Sequence, residues 1–283
     1  MFQHTREAVQ KIDQEASALT VPQIYASLRR DLGLDDFGEL MFGMPMDGFP
    51  NLSKRLPRMV SVDVQNTWTG NSGRALLRQT SSFVRALACQ FVRHTGRPLD
   101  GASVLDFGCG YGRIARLLYY FTDPANLMGV DPWDQSIAVC RESGLGENFR
   151  LSEWLPSGLP VDSRAFDLIF AFSVFTHLSQ RATLQTLQAC RKYIRDDGLL
   201  TITTRPVEYW SLDSGVHSLS DTTAVRAEHA RTGFAFSSLG QQDYGNTSMT
   251  TEWLARNVPE WRIVGLDRSL DDEYQLYVFL KPA

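Results

Sequence analysis

The stretch that decides the fold is Val104-Leu105-Asp106-Phe107-Gly108-Cys109-Gly110-Tyr111-Gly112-Arg113. Its first residues predict a buried strand over Ser103–Phe107. An amphipathic helix follows, with apolar side chains at helical spacing, namely Ile114, Leu117, Leu118 and Phe121. A glycine turn between a strand and a helix brings backbone N–H groups together, where a nucleotide-like ligand can bind. The stretch therefore predicts a ligand-binding turn.

Short apolar runs alternate with amphipathic stretches from Ala102 onward, a pattern typical of a parallel sheet with crossover helices. The predicted strands are Ser103–Phe107, Leu127–Val130, Asn148–Leu151, Leu168–Phe172 and Leu199–Thr204, with an antiparallel edge pair at Trp261–Leu266 and Tyr274–Leu280. Helices are expected over Ile24–Leu34, Gly73–Val92 and about Thr251–Asn257. Ser179 is a favourable N-cap and Gly198 a favourable stop for a helix before the fifth strand. No regular structure is predicted between Thr204 and Thr250.

Charge separates the two adenosine-bearing cofactors that suit such a turn. Asp131 ends the second strand about 20 residues further on, where an acidic side chain can bind both ribose hydroxyls. Asp106 lies beside the turn and would repel the pyrophosphate of NAD, whereas S-adenosylmethionine brings an ammonium and a sulfonium. Arg113 replaces the third glycine of a dinucleotide fingerprint. These residues favour the sulfonium cofactor, and an NAD(P)-dependent oxidoreductase is the alternative enzyme.

Three motifs in order, VLDFGCGYGR, GVDPW and FDLIFAFSVFTHL, resemble the class I S-adenosylmethionine-dependent methyltransferases. The resemblance covers about residues 102–206. It implies an α/β, Rossmann-like fold with a seven-stranded, mostly parallel sheet, flanking helices and an insertion before the last two strands. The expected domains are a helical and loop-rich N-terminal extension over 1–98 and a methyltransferase domain over 99–283, with a substrate-covering insertion at about 207–258.

The same resemblance implies roles for particular residues. The methionine part of the cofactor would be surrounded by Asp106, Gly108, Cys109, Gly110 and Arg113. Asp131 would bind the ribose, Pro132 and Trp133 would lie beside the adenine, and Glu153 or Trp154 would flank it. The backbone of Phe172 and Ser173 would meet the methionine ammonium.

Several of these residues have structural alternatives. Arg113 is either a cofactor residue or a solvated helix residue, since a first-turn Arg opposes the helix dipole. Trp133 and Trp154 are either adenine neighbours or packing residues. His177 is a candidate base for the methyl acceptor or a hydrogen-bonding residue that shapes its loop. Trp68, before a helix, belongs either to a lid over the cofactor or to the core.

Composition narrows the function further. The chain has 283 residues, a net charge of −4 and widely spaced cysteines, so we expect no nucleic-acid partner, no metal and reduced thiols. No apolar segment is long enough to span a bilayer, which predicts no membrane partner and a cytoplasmic location.

The expected reaction is O-methylation of a small polar acceptor, such as a sugar, a glycoconjugate or a secondary metabolite. Ala171-Phe172-Ser173-Val174 stands where nucleic-acid amino-methyltransferases carry a proline motif. His217, His229, Tyr209 and Tyr244 lie in the interval expected to cover the acceptor, and Glu208 and Asp213 would have to join those histidines for a metal to bind. A homo-oligomer is possible, and a non-catalytic, methyltransferase-like binding protein is the alternative outside enzymes.

Overall fold

A computed structural model describes residues 1–161, 165–211 and 222–283 of the chain. Two compact units make up the chain: residues 1–89 with 98–152, and residues 90–97 with 153–283. Asp213 and His217 lie outside the described residues. Among the described residues, no helix has the length and apolar composition needed to cross a membrane.

The first unit holds the N-terminal helices and the first three strands. In chain order its elements are α1 (Gln3–Glu15), α2 (Val21–Asp31), α3 (Leu34–Gly43), α4 (Val62–Thr69), most of α5 (Gly73–Thr95), β1 (Val104–Phe107), α6 (Arg113–Leu118), β2 (Leu127–Asp131), α7 (Asp134–Glu142) and β3 (Phe149–Leu151). Short 3-10 turns lie at Leu52–Lys54 and Pro124–Asn126.

The second unit holds the remaining strands and the interval before the last two. Its elements are β4 (Phe166–Ala171), α8 (Gln180–Tyr193), β5 (Ile194–Thr204), a 3-10 turn (Val207–Ser211), α9 (Thr222–Thr232), β6 (Phe234–Ser238), β7 (Gly245–Met249), α10 (Thr251–Asn257), β8 (Trp261–Ser269) and β9 (Asp272–Pro282).

Seven of the strands form a sheet in the order β3-β2-β1-β4-β5-β9-β8. Parallel pairs join β1 to β2, β2 to β3 and β4 to β5, whereas β9 runs antiparallel to both β5 and β8. The predicted seven-stranded, mostly parallel sheet and its antiparallel edge pair are confirmed. The fold is the Rossmann-like one that the sequence indicates.

The first predicted helix, over Ile24–Leu34, is instead part of two helices. A capping box at Thr20 and Gln23 begins α2 early, because both side chains bond to backbone N–H groups at the helix start. Leu32 leaves the helical conformation, and Gly33 is the N-cap of α3.

The interval without predicted structure contains regular elements. Between β5 and β8, β6 and β7 pair antiparallel as a separate two-stranded sheet, between α9 and α10. Thr250 caps α10 by accepting from the Trp253 N–H group. The helix expected around Thr251–Asn257 is therefore confirmed.

Ser179 is the N-cap of α8, as predicted, and accepts a hydrogen bond from the Ala182 N–H group. Gly198 does not stop this helix, because α8 already ends at Tyr193 and β5 begins with the next residue. The register of β5 against β4 shifts between Phe166 and Leu168, so the residues assigned to a helix end form the irregular start of a strand. The expectation for Gly198 was wrong for this reason.

Close packing in the first unit depends on a glycine in β2. A Cβ atom on Gly129 would lie 2.5 Å from Cε1 of Phe149, on the adjacent strand, and 3.1 Å from Cβ of Cys109. Phe149 is fully buried, so its ring has no open space to move into. Gly129 therefore lets the Phe149 ring pack directly on the sheet beside the glycine turn at residues 108–112.

Gly129→Ala is expected to lower the free energy of unfolding by about 1–3 kcal/mol, because the added methyl group overlaps the Phe149 ring. Urea denaturation followed by circular dichroism measures the change. The control is Gly48→Ala, where a new Cβ atom meets no atom within 4 Å, and it should change stability by less than about 0.5 kcal/mol. Equal effects of the two substitutions would contradict the packing argument.

Candidate functional site

The turn between β1 and α6 has the conformation that its glycines allow. Gly108, Gly110 and Gly112 have φ angles of 75°, 53° and 71°, in the left-handed region that favours glycine. A Cβ atom on Gly112 would also overlap the Leu145 side chain. The spacing of glycines is therefore required by backbone geometry and by packing.

Acceptors within the protein already bind four backbone N–H groups of this turn. Gly108 and Cys109 both donate to the Val130 carbonyl oxygen, at 2.8 and 3.1 Å, and Gly112 donates to the Cys109 carbonyl oxygen at 2.8 Å. Gly110 donates to Oδ2 of Asp131 at 2.9 Å. A dinucleotide pyrophosphate binds through such N–H groups. With these four engaged, the turn presents few donors to a diphosphate.

Asp106 is a buried carboxyl group with one oxygen that no described residue hydrogen-bonds. Its side chain is 2% exposed, and Oδ2 has no hydrogen-bond partner among the described residues. Burial raises the pKa of Asp106 well above its usual range and the charge of Asp131 raises it further, while Arg113 opposes the shift. A cation bound beside Asp106 would compensate this buried group.

Asp131, the last residue of β2, accepts hydrogen bonds that connect the turn to the end of this strand. Its Oδ1 accepts from the Trp133 N–H group at 2.9 Å, while Oδ2 accepts from Gly110. Burial raises the pKa of Asp131, and the hydrogen bonds from Trp133 and Gly110 oppose the shift. A carboxylate oxygen accepts more than one hydrogen bond, so Asp131 retains capacity for ribose hydroxyls.

The side chains of Arg113 and Cys109 are buried in the first unit. Arg113 donates through Nη1 to Gln79 Oε1 at 3.2 Å and Thr80 Oγ1 at 2.6 Å, both on α5. With a side chain 7% exposed, Arg113 is not the solvated helix residue considered as an alternative. Burial raises the pKa of the Cys109 thiol, and the nearby Cys140 thiol donates to the Gly110 carbonyl oxygen at 3.2 Å. These contacts hold the turn in place from below.

Aromatic rings lie beside the turn and the end of β2. The ring centroids of Trp68 and Trp133 are 4.6 Å apart, and those of Trp68 and Tyr111 are 5.8 Å apart. Trp133 is 40% exposed, and Trp68, on α4, is half-buried. Trp68 therefore lies at the surface of the first unit, next to Tyr111 of the glycine turn and Trp133 after β2, rather than deep in its core.

The other predicted adenine neighbours are exposed or half-buried. Pro132 is half-buried, Trp154 is 56% exposed, and Glu153 is exposed and accepts from the Ser157 N–H group at 3.4 Å. Glu153 and Trp154 belong to the second unit and Pro132 to the first. Each of the three side chains is therefore accessible to a ligand. Their contacts within the protein do not assign a role to any of them.

Phe172 and Ser173 follow directly after β4. Ser173 has a φ angle of 60°, an unusual conformation for a residue other than glycine, and its N–H group donates to Thr203 Oγ1 on β5 at 2.7 Å. Phe172 is buried, with its ring near that of Tyr277. Strained backbone of this kind concentrates at binding sites, which agrees with the predicted role at the methionine end.

Both ring nitrogens of His177 are engaged. Nδ1 lies 2.7 Å from the Gly245 carbonyl oxygen and therefore carries the proton, and Nε2 accepts from Nη2 of Arg205 at 3.2 Å. Burial, with a smaller effect from Arg205, lowers the pKa of His177 to about 4. A role as base would require one of these hydrogen bonds to break. The observed contacts match the alternative in which His177 shapes its loop.

Sequence reasoning did not identify Arg205 and Asn246, which join His177 in one cluster. Arg205 Nη1 donates to the Thr176 carbonyl oxygen at 2.9 Å and to Asn246 Oδ1 at 3.0 Å, and Tyr209 donates to the same Asn246 oxygen. Arg205 could have been identified from its position directly after β5, because ligands bind at the carboxyl ends of parallel strands.

Other polar residues of the interval have separate environments. Tyr244 stacks on the His177 ring at 5.2 Å and is 39% exposed, whereas His229 is buried with Nδ1 2.7 Å from Ser248 Oγ. Within the described part of the chain, no group of His, Cys, Asp and Glu side chains is arranged to hold a metal ion. Tyr244 and Tyr209 thus belong to the cluster around Arg205 and His177, whereas His229 bonds to Ser248 outside it.

Known proteins share this motif and fold. The family model of a methyltransferase domain matches residues 104–198. Ubiquinone biosynthesis O-methyltransferases of Rhizobium johnstonii and Methylocella silvestris are 28% and 30% identical over 130 and 116 residues, which are 44% and 40% of this chain. The matched regions are 50% and 43% of those relatives, so the chain spans about half the length of the curated relatives it matches.

Solved structures agree with the fold. An S-adenosylmethionine-dependent methyltransferase from Clostridium acetobutylicum superposes with a TM-score of 0.54 at 12% identity, over 78% of this chain and 97% of that one. Magnesium protoporphyrin IX methyltransferase from Synechocystis gives a TM-score of 0.50 at 12% identity, over 78% and 94%. Residues 104–198 thus match a methyltransferase domain, and the sheet order agrees with the expected class I, S-adenosylmethionine-dependent methyltransferase fold.

Proposed function

We propose that this protein transfers a methyl group from S-adenosylmethionine to a hydroxyl of a small polar acceptor. The observation that carries the proposal is the buried Asp106 carboxyl group, whose Oδ2 has no partner within the described residues. It lies beside a turn whose N–H groups are engaged with Val130, Asp131 and Cys109. This combination suits a cationic amino-acid nucleoside and disfavours a diphosphate, which argues against an NAD(P)-dependent enzyme.

The environments of these residues support the following proposed roles. Asp106 would compensate a cationic group of the methionine portion, with Gly108, Cys109 and Gly110 forming the surface against it and Arg113 holding the turn. Asp131 would accept from the ribose hydroxyls, with Pro132, Trp133 and either Glu153 or Trp154 at the adenine. Phe172 and Ser173 would face the methionine ammonium. When bound, S-adenosylmethionine supplies an electrophilic methyl group for in-line displacement by the acceptor.

An oxygen acceptor agrees with the names of the relatives, which are O-methyltransferases. The net charge of −4 suits a small acceptor better than a nucleic-acid backbone. We propose that residues 207–258 cover the acceptor and that the N-terminal extension over 1–98 contributes a cover for the cofactor through α4. Sugars and secondary metabolites with several hydroxyl groups are the acceptors that fit this proposal.

Asp131→Asn is expected to weaken S-adenosylhomocysteine binding about tenfold or more, because it removes a charged acceptor for the ribose hydroxyls. Isothermal titration calorimetry measures the dissociation constant. Asp134→Asn is the matched control, since Asp134 is an exposed acidic residue in the first turn of the adjacent helix α7. Similar affinities of the two variants for S-adenosylhomocysteine would contradict the assignment of Asp131 to the ribose.

Trp68→Ala is expected to weaken S-adenosylhomocysteine binding about three- to tenfold, because the ring packs on Trp133 beside the predicted adenine site. Val62→Ala provides the control on the same helix, since Val62 is 55% exposed. Calorimetry and a thermal melt are recorded for both variants. If Trp68→Ala lowers the melting temperature and leaves the affinity unchanged, Trp68 is a packing residue and the cover proposed for α4 is wrong.

A further inference from the structure

Arg205 stands at the edge of the sheet where the methionine end of the cofactor is expected. It follows Thr204, the last residue of β5, and β4 runs parallel to β5 and ends at Ala171. The hydrogen bond from Ser173 N–H to Thr203 Oγ1 joins the ends of the two strands. Arg205 and the Phe172–Ser173 backbone are therefore neighbours at one edge of the second unit.

The hydrogen-bond partners of Arg205 are neutral. The guanidinium donates to the Thr176 carbonyl oxygen, the Asn246 side-chain oxygen and the neutral His177 ring, and it lies 4.0 Å from the centroid of the Tyr209 ring. In the described part of the chain, Arg205 makes no ion pair. The cluster holds the guanidinium firmly without cancelling its charge.

The environment makes this charge costly. Burial lowers the pKa of Arg205, while the nearby Tyr209, Asp272 and Tyr244 side chains oppose the shift. A desolvated cation without a paired carboxylate is unfavourable, and a bound anion compensates it. A negative group on a bound ligand would compensate this charge.

Two donors of Arg205 remain for such a group. A guanidinium has five N–H groups, and the described contacts use two on Nη1 and one on Nη2. The Nε–H group and the remaining Nη2–H group lie in the plane of the guanidinium, where such donors can bind carboxylate oxygens. His177 and Asn246 would keep this plane fixed.

We propose that Arg205 binds a carboxylate of the methyl acceptor, so that the acceptor is a hydroxy acid. This inference rests on the proposed function and names the acceptor class. Tyr244, which stacks on His177 and is 39% exposed, offers a flat wall next to the cluster that suits an aromatic or sugar ring. His177 then acts as a positioning residue for Arg205, which agrees with both of its nitrogens being engaged.

The test compares acids with their neutral amides. The probes are 3,4-dihydroxybenzoate with 3,4-dihydroxybenzamide, and glucuronate with glucuronamide, titrated calorimetrically with and without saturating S-adenosylhomocysteine. We expect at least one acid to bind the unmodified protein about tenfold or more tightly than its amide. The benzoate pair and the glucuronate pair distinguish an aromatic from a sugar acid.

Variants then locate the effect. Arg205→Gln should abolish the preference for the acid, so that acid and amide bind about equally, while leaving S-adenosylhomocysteine affinity unchanged. Arg205→Lys should retain part of the preference. Arg231→Gln, an exposed site in the last turn of α9 with the same change of charge, should retain all of it. Thermal melts identify variants that fail to fold, and in that case the acid and amide comparison on the unmodified protein decides.

Three results would overturn the proposal: equal binding of each acid and its amide, no binding of either acid, or a preference that survives Arg205→Gln. The proposed function is tested separately by S-adenosylhomocysteine alone. If the unmodified protein binds that molecule but shows no preference for acids, only the acceptor class is wrong. If it prefers acids but does not bind that molecule, the proposed cofactor is wrong.

Discussion

The conformation of the glycine turn depends on two buried carboxyl groups, those of Asp131 and Asp106. Asp131 uses its side-chain oxygens to bind the backbone of Gly110 and Trp133, which fixes the glycine turn against the end of β2. Asp106 lies in the same buried environment, where the charge of Asp131 makes ionisation harder and Arg113 makes it easier. Asp131 therefore has a structural role in the turn, and a cation beside Asp106 would compensate the carboxyl oxygen that has no donor among the described residues.

Local sequence predicted the parts of the fold that depend on local chemistry. The glycine turn, the parallel strands and the Ser179 cap follow from spacing, strand periodicity and hydrogen bonding within a few residues. Gly198 was misassigned because glycine suits a helix end and an irregular strand equally, and the pairing of β5 with β4 decided the outcome. The β6 and β7 pair could not be predicted from polar, serine-rich sequence, because its pairing depends on tertiary contacts.

The cluster around His177 depends on contacts between distant residues. His177, Arg205 and Asn246 are far apart in sequence, and only folding shows that Arg205 occupies the nitrogen a catalytic base would use. The pKa of His177, lowered mainly by burial, likewise depends on surroundings that the motif does not contain. A methyltransferase needs little acid–base chemistry when the acceptor is well placed, so a rigid hydrogen-bonded cluster is compatible with the proposed reaction.

Calorimetric titration of the unmodified protein with S-adenosylhomocysteine and, in parallel, with NAD⁺ tests the central claim most directly. The buried Asp106 carboxyl group and the engaged N–H groups of the turn predict saturable binding of S-adenosylhomocysteine and none of NAD⁺ at millimolar concentration. Saturable binding of NAD⁺ without binding of S-adenosylhomocysteine would contradict the account.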